Sequence, residues 1–464
     1  MDPGKEQAGT AEPGGSAWSA RPVGGTEYSW CRAVPGGTGT TLLALRLSPR
    51  AGAATAAEAA VRSLQTAHPI LRAHLRAAST SSPTLAFPPS SAPQLALAPE
   101  PSALDFDSLL ERELNRNPWA AAEPGPGPDG APVLFAALYD LPAPAGGAAL
   151  FVRIHTAACD RAASAALLRE LLAHLGGAGA GDPEAAAVEA GLEDRIPKKD
   201  AWKPFWARGV DMVGYSINGL RTSTLPFVET GTARSTQMVR LAFGRDDTAR
   251  LLDACKENGV KLCSAMAAAT LLAARQSKKL DSGQQETYST ATLINCRQFL
   301  EPPLDDHNVG FFYSAITNTH KIHGEETLWE LAKRCHDSYT SAKNSNKHLT
   351  DTADLNFLMC RAIENPQLTT ASALRTALVS VFEEPVTYDL SYLQSKAGVD
   401  DYACIATVHG IGPSVGVFDS IRDGRLDCAC MYPSPLHSRK QMQELFDTVK
   451  RILHQGSSAG GDKF

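Results

Sequence analysis

No stretch of this chain approaches the roughly 20 consecutive apolar residues that span a bilayer, so no membrane span is expected. A dominant charge is also missing. Lys and Arg number 44 against 50 Asp and Glu, for a formal net charge of −6. That balance leaves no footprint for nucleic acid or an acidic membrane surface. Metal-ligand spacing is lacking too. The ten cysteines are scattered apart from Cys428-Ala429-Cys430, and no C-x2-C stands with paired histidines. A structural zinc site is therefore not expected, and reduced cytosolic thiols fit better than a disulfide framework. Met1-Asp2-Pro3-Gly4-Lys5-Glu6 has no apolar signal core and carries the acids that transit peptides avoid, so a cytoplasmic protein is expected. The glycine-rich Gly36-Gly37-Thr38-Gly39-Thr40 lacks the lysine of a phosphate-binding loop and reads as a turn.

What is present describes a soluble globular protein, with 43% hydrophobic and 20% charged residues. At 464 residues it is too long for one core, and two domains are expected. Residues 1–20, rich in Gly, Pro, Ala and Ser, read as a disordered tail. Thr41–Leu47 reads as a strand, and Ala54–Ala67 as a helix stopped by His68-Pro69. Ile70–Leu75 reads as extended, residues 78–101 as a surface loop, and Leu104–Leu114 as a helix. Val133–Tyr139 and the strand ending at His155 flank a Pro/Gly turn, which implies an antiparallel hairpin. Gly176–Asp182 opens a linker, and Lys198–Thr230 reads as the passage between domains, anchored by Trp202, Phe205 and Trp206.

The second half resumes a regular pattern. Strands are expected at Gln237–Phe243, Tyr288–Asn295, Val309–Ile316, Ala403–Val408, Gly416–Phe418 and Leu426–Met431. Helices are expected at Asp246–Asn258, closed by Gly259, at Ser264–Arg275 with an N-cap serine, at Thr327–Ser345 and at Arg439–Leu453.

The chain is organised around Phe151-Val152-Arg153-Ile154-His155-Thr156-Ala157-Ala158-Cys159-Asp160-Arg161. A buried strand ends in a histidine, then a small-residue turn, an aspartate and a leucine-spaced helix. An imidazole there suits proton movement at neutral pH, and the aspartate suits a helix cap or a ring-orienting partner. A core histidine beside an N-cap aspartate is the rival reading. Gly412-Pro413-Ser414-Val415-Gly416 matches the G-x-S-x-G serine elbow. The residues after it read as strand, Asp-Gly turn and strand, whereas the elbow needs a following helix.

Several stretches together resemble the condensation-domain-like acyltransferase superfamily. They are Arg21 to Trp30, the Leu64–Arg72 helix end running into His68-Pro69-Ile70-Leu71-Arg72, and the His155 segment. Asn295-Cys296-Arg297 with Asn308-Val309-Gly310-Phe311-Phe312, and the Tyr402–Met431 hairpin, complete the set. They lie in family order from about residue 21 to 454. The D-F-G-W-G motif of plant BAHD acyltransferases is absent.

The resemblance implies an α+β fold of two chloramphenicol-acetyltransferase-like domains, residues 21–190 and 237–464, joined by a crossover at 191–236 and enclosing an inter-domain tunnel. It implies histidine general-base transfer of an acyl group from coenzyme A to a small-molecule hydroxyl or amine, in a monomer with no bound cofactor. With no fused carrier domain in the sequence, free acyl-CoA is the simpler donor. On this resemblance His155 is the catalytic candidate, Asp160 is structural and pairs with an arginine, and Thr156, Asn308 and Gly310 are substrate-binding.

The motif departs from the family's HHxxxDG. Aligned on Asp160, the base position is Thr156 and the glycine position is Arg161. Threonine cannot replace imidazole as a base at neutral pH, and strand alternation turns His155 toward the core unless a bulge re-aims it. Two readings follow. One is an active acyltransferase using His155, or a base such as His307 or His409. The other is a catalytically silent acyltransferase fold kept for binding or regulation.

Overall fold

The computed structural model describes residues 18–76, 83–88, 95–120, 130–144, 146–177, 188–201, 203–204, 222–278, 280–281 and 283–458. Most of the expected tail, and the anchors Trp202, Phe205 and Trp206, lie outside the described residues.

The elements used below are, in chain order, α1 (Gly25–Ala33), β1 (Thr38–Leu47), α2 (Ala53–Ala67), α3 (Phe106–Asn115), β2 (Leu134–Asp140), β3 (Ala148–His155) and α4 (Arg161–Leu175). The second half continues with β4 (Ser235–Ala242), α5 (Arg245–Glu257), α6 (Leu262–Ser277), β5 (Glu286–Asn295), β6 (Tyr313–Ile322), α7 (Leu328–Asn344) and α8 (Thr352–Glu364). Then come β7 (Arg375–Phe382), β8 (Val399–Val408), β9 (Gly412–Arg422), β10 (Arg425–Ser434) and α9 (Arg439–Ser458).

Two principal sheets carry the fold. The N-terminal sheet runs β8-β1-β3-β2, with Pro99–Pro101 pairing in parallel on the outer edge of β2. The larger sheet runs β6-β5-β7-β9-β10-β4. A small sheet of Ser19–Pro22, Thr84–Phe87, His74–Arg76 and Ala131–Pro132 lies apart from both.

β1 and β3 are central and covered on both faces, which explains their almost unbroken apolar runs. On β3, Leu150, Val152 and Ile154 join one core with α2 and α4, while Ala149 and Phe151 join another with α3. α2 supplies Ala57, Ala60, Val61 and Leu64, the spacing of one helical face. In the second half α6 is buried along nearly its whole length, and its alanines let the sheet, α7 and α9 approach it closely.

One strand crosses between the halves. β8 belongs to the second half of the sequence yet pairs antiparallel with β1, Tyr402 opposite Leu45 and Val408 opposite Thr38. It then leads into β9 of the other sheet, so a short connection ties the two sheets together.

Several sequence expectations are corrected. Ile70–Leu75 is not extended throughout, because Pro69–Arg72 forms a 3-10 turn before the short strand His74–Arg76. α6 begins at Leu262 with Lys261 at its N-cap, so Ser264 lies inside the first turn. The run Val309–Phe312 precedes β6 rather than opening it, because its backbone bonds go elsewhere. Gly310 O accepts from Asp160 N, and Phe312 N donates to the Asp160 carboxylate. The serine-elbow match, which the pattern after it already argued against, lies in a strand: Ser414 is on β9 and fully buried. No helix among the described residues is long and apolar enough to cross a membrane.

Candidate functional site

A chamber of about 640 Å³ opens between the two sheets. Its walls come from α1, the head of β1, the turn after β3, the strands β5, β6 and β7, α8, and the β8–β9 connection. The lining is mainly apolar and hydroxylic, with Trp30, Leu293, Phe311, Leu358, Met359 and Phe418 among the larger side chains.

His155 is not part of this wall. The alternation along β3 puts it on the α3 side of the sheet, with Phe151 and Arg153. Its ring stands edge-on to Trp119, with centroids 5.2 Å apart, and its Nδ1 accepts from Ala157 N at 3.1 Å. The side chain is 1% exposed, and burial pushes the imidazole down to about 3. The ring is thus walled in on the far side of the strand from the chamber. His307 and His409 do not line the chamber either. His307 is exposed, with Nδ1 at 3.3 Å from Glu170 Oε1, and His409 Nδ1 lies 2.9 Å from Thr236 Oγ1. All twelve histidines of the sequence lie in described residues, and none lines the chamber.

Thr156 does face the chamber. Its hydroxyl donates to Gly39 O, and Thr41 Oγ1 lies 3.2 Å away. The hydroxyl proton is thus spent on a backbone carbonyl. Gly39 makes this approach possible. At φ +95°, an added Cβ would sit 2.8 Å from the Trp30 ring and 3.1 Å from Thr156 Oγ1.

Asp160 holds the turn in place. Its Oδ1 caps α4 by accepting from Ala163 N at 2.9 Å, and also accepts from Arg297 Nη2 at 3.1 Å. Its Oδ2 accepts from Phe312 N at 2.8 Å and lies 2.9 Å from Arg297 Nη1. Arg297 is 1% exposed, its guanidinium 4.9 Å from the Phe312 ring centroid, so the ion pair joins the β3–α4 corner to the chain between β5 and β6 in a dry setting.

Asn308 and Gly310 serve the same corner rather than the chamber. Asn308 O accepts from Arg297 Nη2 at 3.0 Å, and its side chain bonds Asp305 N and Glu189. Neither is among the residues that line the cavity. Arg161, in the usual glycine place, pairs with Asp419 on β9 at 3.0 Å and lies over the Phe382 ring at 3.9 Å. Burial pushes the Asp419 carboxyl up, and Arg161 opposes that shift.

Sequence reasoning missed Trp30, Thr38, Thr41 and Arg375, all of which line the chamber. The signal for the threonines was present: β1 begins Thr38-Gly39-Thr40-Thr41 before its leucine run, so its head is polar and its body apolar. The turn expected at Gly36–Thr40 is realised only at Gly37, with φ +95°, and the strand starts at Thr38.

Residues 232–342 match the family described as phthiocerol/phthiodiolone dimycocerosyl transferase C-terminus. Among solved structures, the trichothecene 15-O-acetyltransferase TRI3 of Fusarium sporotrichioides is similar with a TM-score of 0.72 and 12% identity, over 95% of each chain. Polyketide synthase associated protein 5 from Mycobacterium tuberculosis gives 0.65 and 14%, over 95% of this chain and 99% of that one. The first condensation domain of the calcium-dependent antibiotic synthetase, solved with a substrate analogue, gives 0.66 and 14%, over 96% and 98%. No single curated protein sequence matches the chain. In fold, the chain is similar to these condensation-domain and chloramphenicol-acetyltransferase-like structures.

Proposed function

We propose that the chain uses the acyltransferase fold to bind an apolar, acyl-type small molecule in the inter-sheet chamber, without general-base turnover by histidine. The observation that carries this reading is the composition of the wall: no histidine lines it, and Thr156 faces it with its proton already donated to Gly39 O. General-base transfer needs an acceptor within hydrogen-bond reach of the nucleophile, with a pKa near the working pH. The two lining thiols are no substitute, since burial pushes both Cys159 and Cys404 above their ordinary value. The chamber itself suits an acyl chain, being of ligand size, mostly apolar and largely pre-formed.

The test is calorimetric titration with apolar chains of graded length, such as decanamide and shorter amides. Saturable binding is expected, and Ala315→Phe, which fills the chamber from β6, should weaken it at least tenfold. No binding by any chain, or binding indifferent to Ala315→Phe, would contradict the reading. His155→Ala should leave the affinity within about twofold, because the ring lies behind the wall. The same variant should lower stability by about 2–4 kcal/mol, the range for truncating a large buried side chain. Thermal unfolding beside the titration separates the two effects.

Acyl transfer from a coenzyme A thioester to a hydroxyl or amine remains the second reading. The match over residues 232–342 and the Asp160–Arg297 pair favour it. It would require an acceptor that arrives already deprotonated, since no histidine faces the chamber to take the proton.

A further inference from the structure

Among the described residues, four charged side chains line the chamber, and three of them are neutralised. Asp160 pairs with Arg297, Arg161 with Asp419, and Arg361 with Glu364. The fourth, Arg375 at the start of β7, is 7% exposed and has no carboxylate partner among the described residues. Among the described residues its guanidinium is held by backbone carbonyls alone. Nε donates to Ala373 O at 2.9 Å, Nη1 to Val408 O at 3.1 Å and Pro413 O at 2.6 Å, and Nη2 to Gly410 O.

A buried charge without a counter-charge is costly, and the neighbourhood adds to the imbalance rather than relieving it. Arg234 donates to the same Ala373 O at 2.7 Å, so two guanidinium groups converge on one carbonyl. His409 and His437 are both depressed to about 4, first by burial and then by these arginines.

A second, independent feature lies beside it. The Thr38 hydroxyl, on a residue that is 7% exposed and lines the chamber, has no hydrogen-bond partner among the described residues. Thr38 pairs with Val408 across β1 and β8, and its Oγ1 is 3.0 Å from where a Cβ on Gly410 would sit. Val408 and Gly410 are two of the residues whose carbonyls hold Arg375. An unspent hydroxyl and a guanidinium with one N–H of Nη2 left over therefore meet at one end of an otherwise apolar cavity.

We propose that this end of the chamber is a carboxylate subsite formed by Arg375 and Thr38, and that the ligand is an apolar chain ending in a free carboxylate. The inference rests on the reading of the chamber as a ligand site and names the class of ligand. The carbonyls use four of the five guanidinium donors, which rules against a bidentate clamp on a phosphate and favours a single carboxylate oxygen. The second carboxylate oxygen takes the Thr38 hydroxyl. An anion there also restores the charge balance that the described residues leave open.

The test compares decanoate, decanamide and decyl phosphate by calorimetric titration of the full chain at pH 7.5. Decanoate should bind at least tenfold more tightly than decanamide and more tightly than decyl phosphate. Thr38→Val, which keeps the shape and replaces the hydroxyl by a methyl group, should reduce the preference for decanoate over decanamide severalfold. Arg375→Gln should abolish the preference. If that variant does not fold, the wild-type ratio and Thr38→Val still decide the matter. Equal affinity for acid and amide would overturn the carboxylate subsite and leave the chamber reading standing. A preference for decyl phosphate would overturn it in favour of a phosphate source. Failure of all three ligands to bind would overturn both.

Discussion

Asp160→Asn is expected to destabilise the protein by about 3–5 kcal/mol, the range for breaking a buried ion pair by removing one partner's charge. The carboxylate accepts three hydrogen bonds, from Arg297 Nη2, Ala163 N and Phe312 N, and its Oδ2 also lies 2.9 Å from Arg297 Nη1. An amide offers one acceptor oxygen and turns an N–H donor toward another donor. Arg297 would be left buried and charged, with only Asn308 O and Asn295 Oδ1 to accept from it. The pair joins two distant parts of the chain, so the loss should also loosen the contact between the β3–α4 corner and the run before β6. Thermal unfolding of the variant should show a midpoint lower by about 10 °C, taking roughly 2–4 °C per kcal/mol for units of this size. A midpoint unchanged within 2 °C, or a loss confined to ligand affinity, would contradict the structural role. Arg297→Lys should be nearly as damaging, because a lysine cannot reproduce the fork that meets both carboxylate oxygens.

Acid should unfold the protein well above the range set by its carboxylates. Four buried histidines and the half-buried His409 are depressed by desolvation, His155 to about 3 and His320, His348, His409 and His437 to about 4. Their folded values lie below the ordinary 6.5, so they are neutral in the native state and take up protons readily when unfolded. The stability they confer is complete above pH 6.5 and is lost as pH falls toward 4. Each can cost up to about 1.4 kcal/mol per pH unit across that window. Glu170 and Glu383 are lowered by their partners, His68 and His307 for the first and Lys261 and Lys343 for the second, against the opposing effect of burial. Their contribution is present above the ordinary carboxylate value and is lost below about pH 4.5, after the histidines have acted. The urea midpoint should therefore be flat from pH 7 to 8 and fall steeply between 6.5 and 5. A midpoint that holds to pH 5 would show that these rings are not buried and neutral.

Much of this architecture is legible in the residues. The leucine and valine runs of β1 and β3, the Pro/Gly turn between β2 and β3, and the Asp423-Gly424 turn between β9 and β10 all lie where local pattern and turn chemistry put them. The Asp160 cap on α4 was equally readable, and Gly259 closes α5 with φ +65°. What fails locally fails for tertiary reasons. Val309–Phe312 looks like strand, but the partner for its backbone is a carboxylate 152 positions away in sequence. The pairing of β8 with β1 has no local signal at all, and it is this crossing that brings Val408, Gly410 and Thr38 together. Arg375 reads as an ordinary charge at the head of a strand. Its isolation from carboxylates is a property of the folded neighbourhood. The one decisive point that alternation did foretell is the direction of His155, which strand parity turns away from the chamber.

The most direct test of the central claim, that the chamber lacks a proton acceptor for acyl transfer, is free-thiol release from acetyl- to decanoyl-CoA. It would be followed from pH 6 to 9 with and without a panel of alcohols and amines, in wild type and His155→Ala. We expect release no faster than the buffer background in both proteins, with no difference between them once the folded fraction is accounted for. Acceptor-dependent release that disappears in His155→Ala would contradict the claim and return His155 to the role of general base.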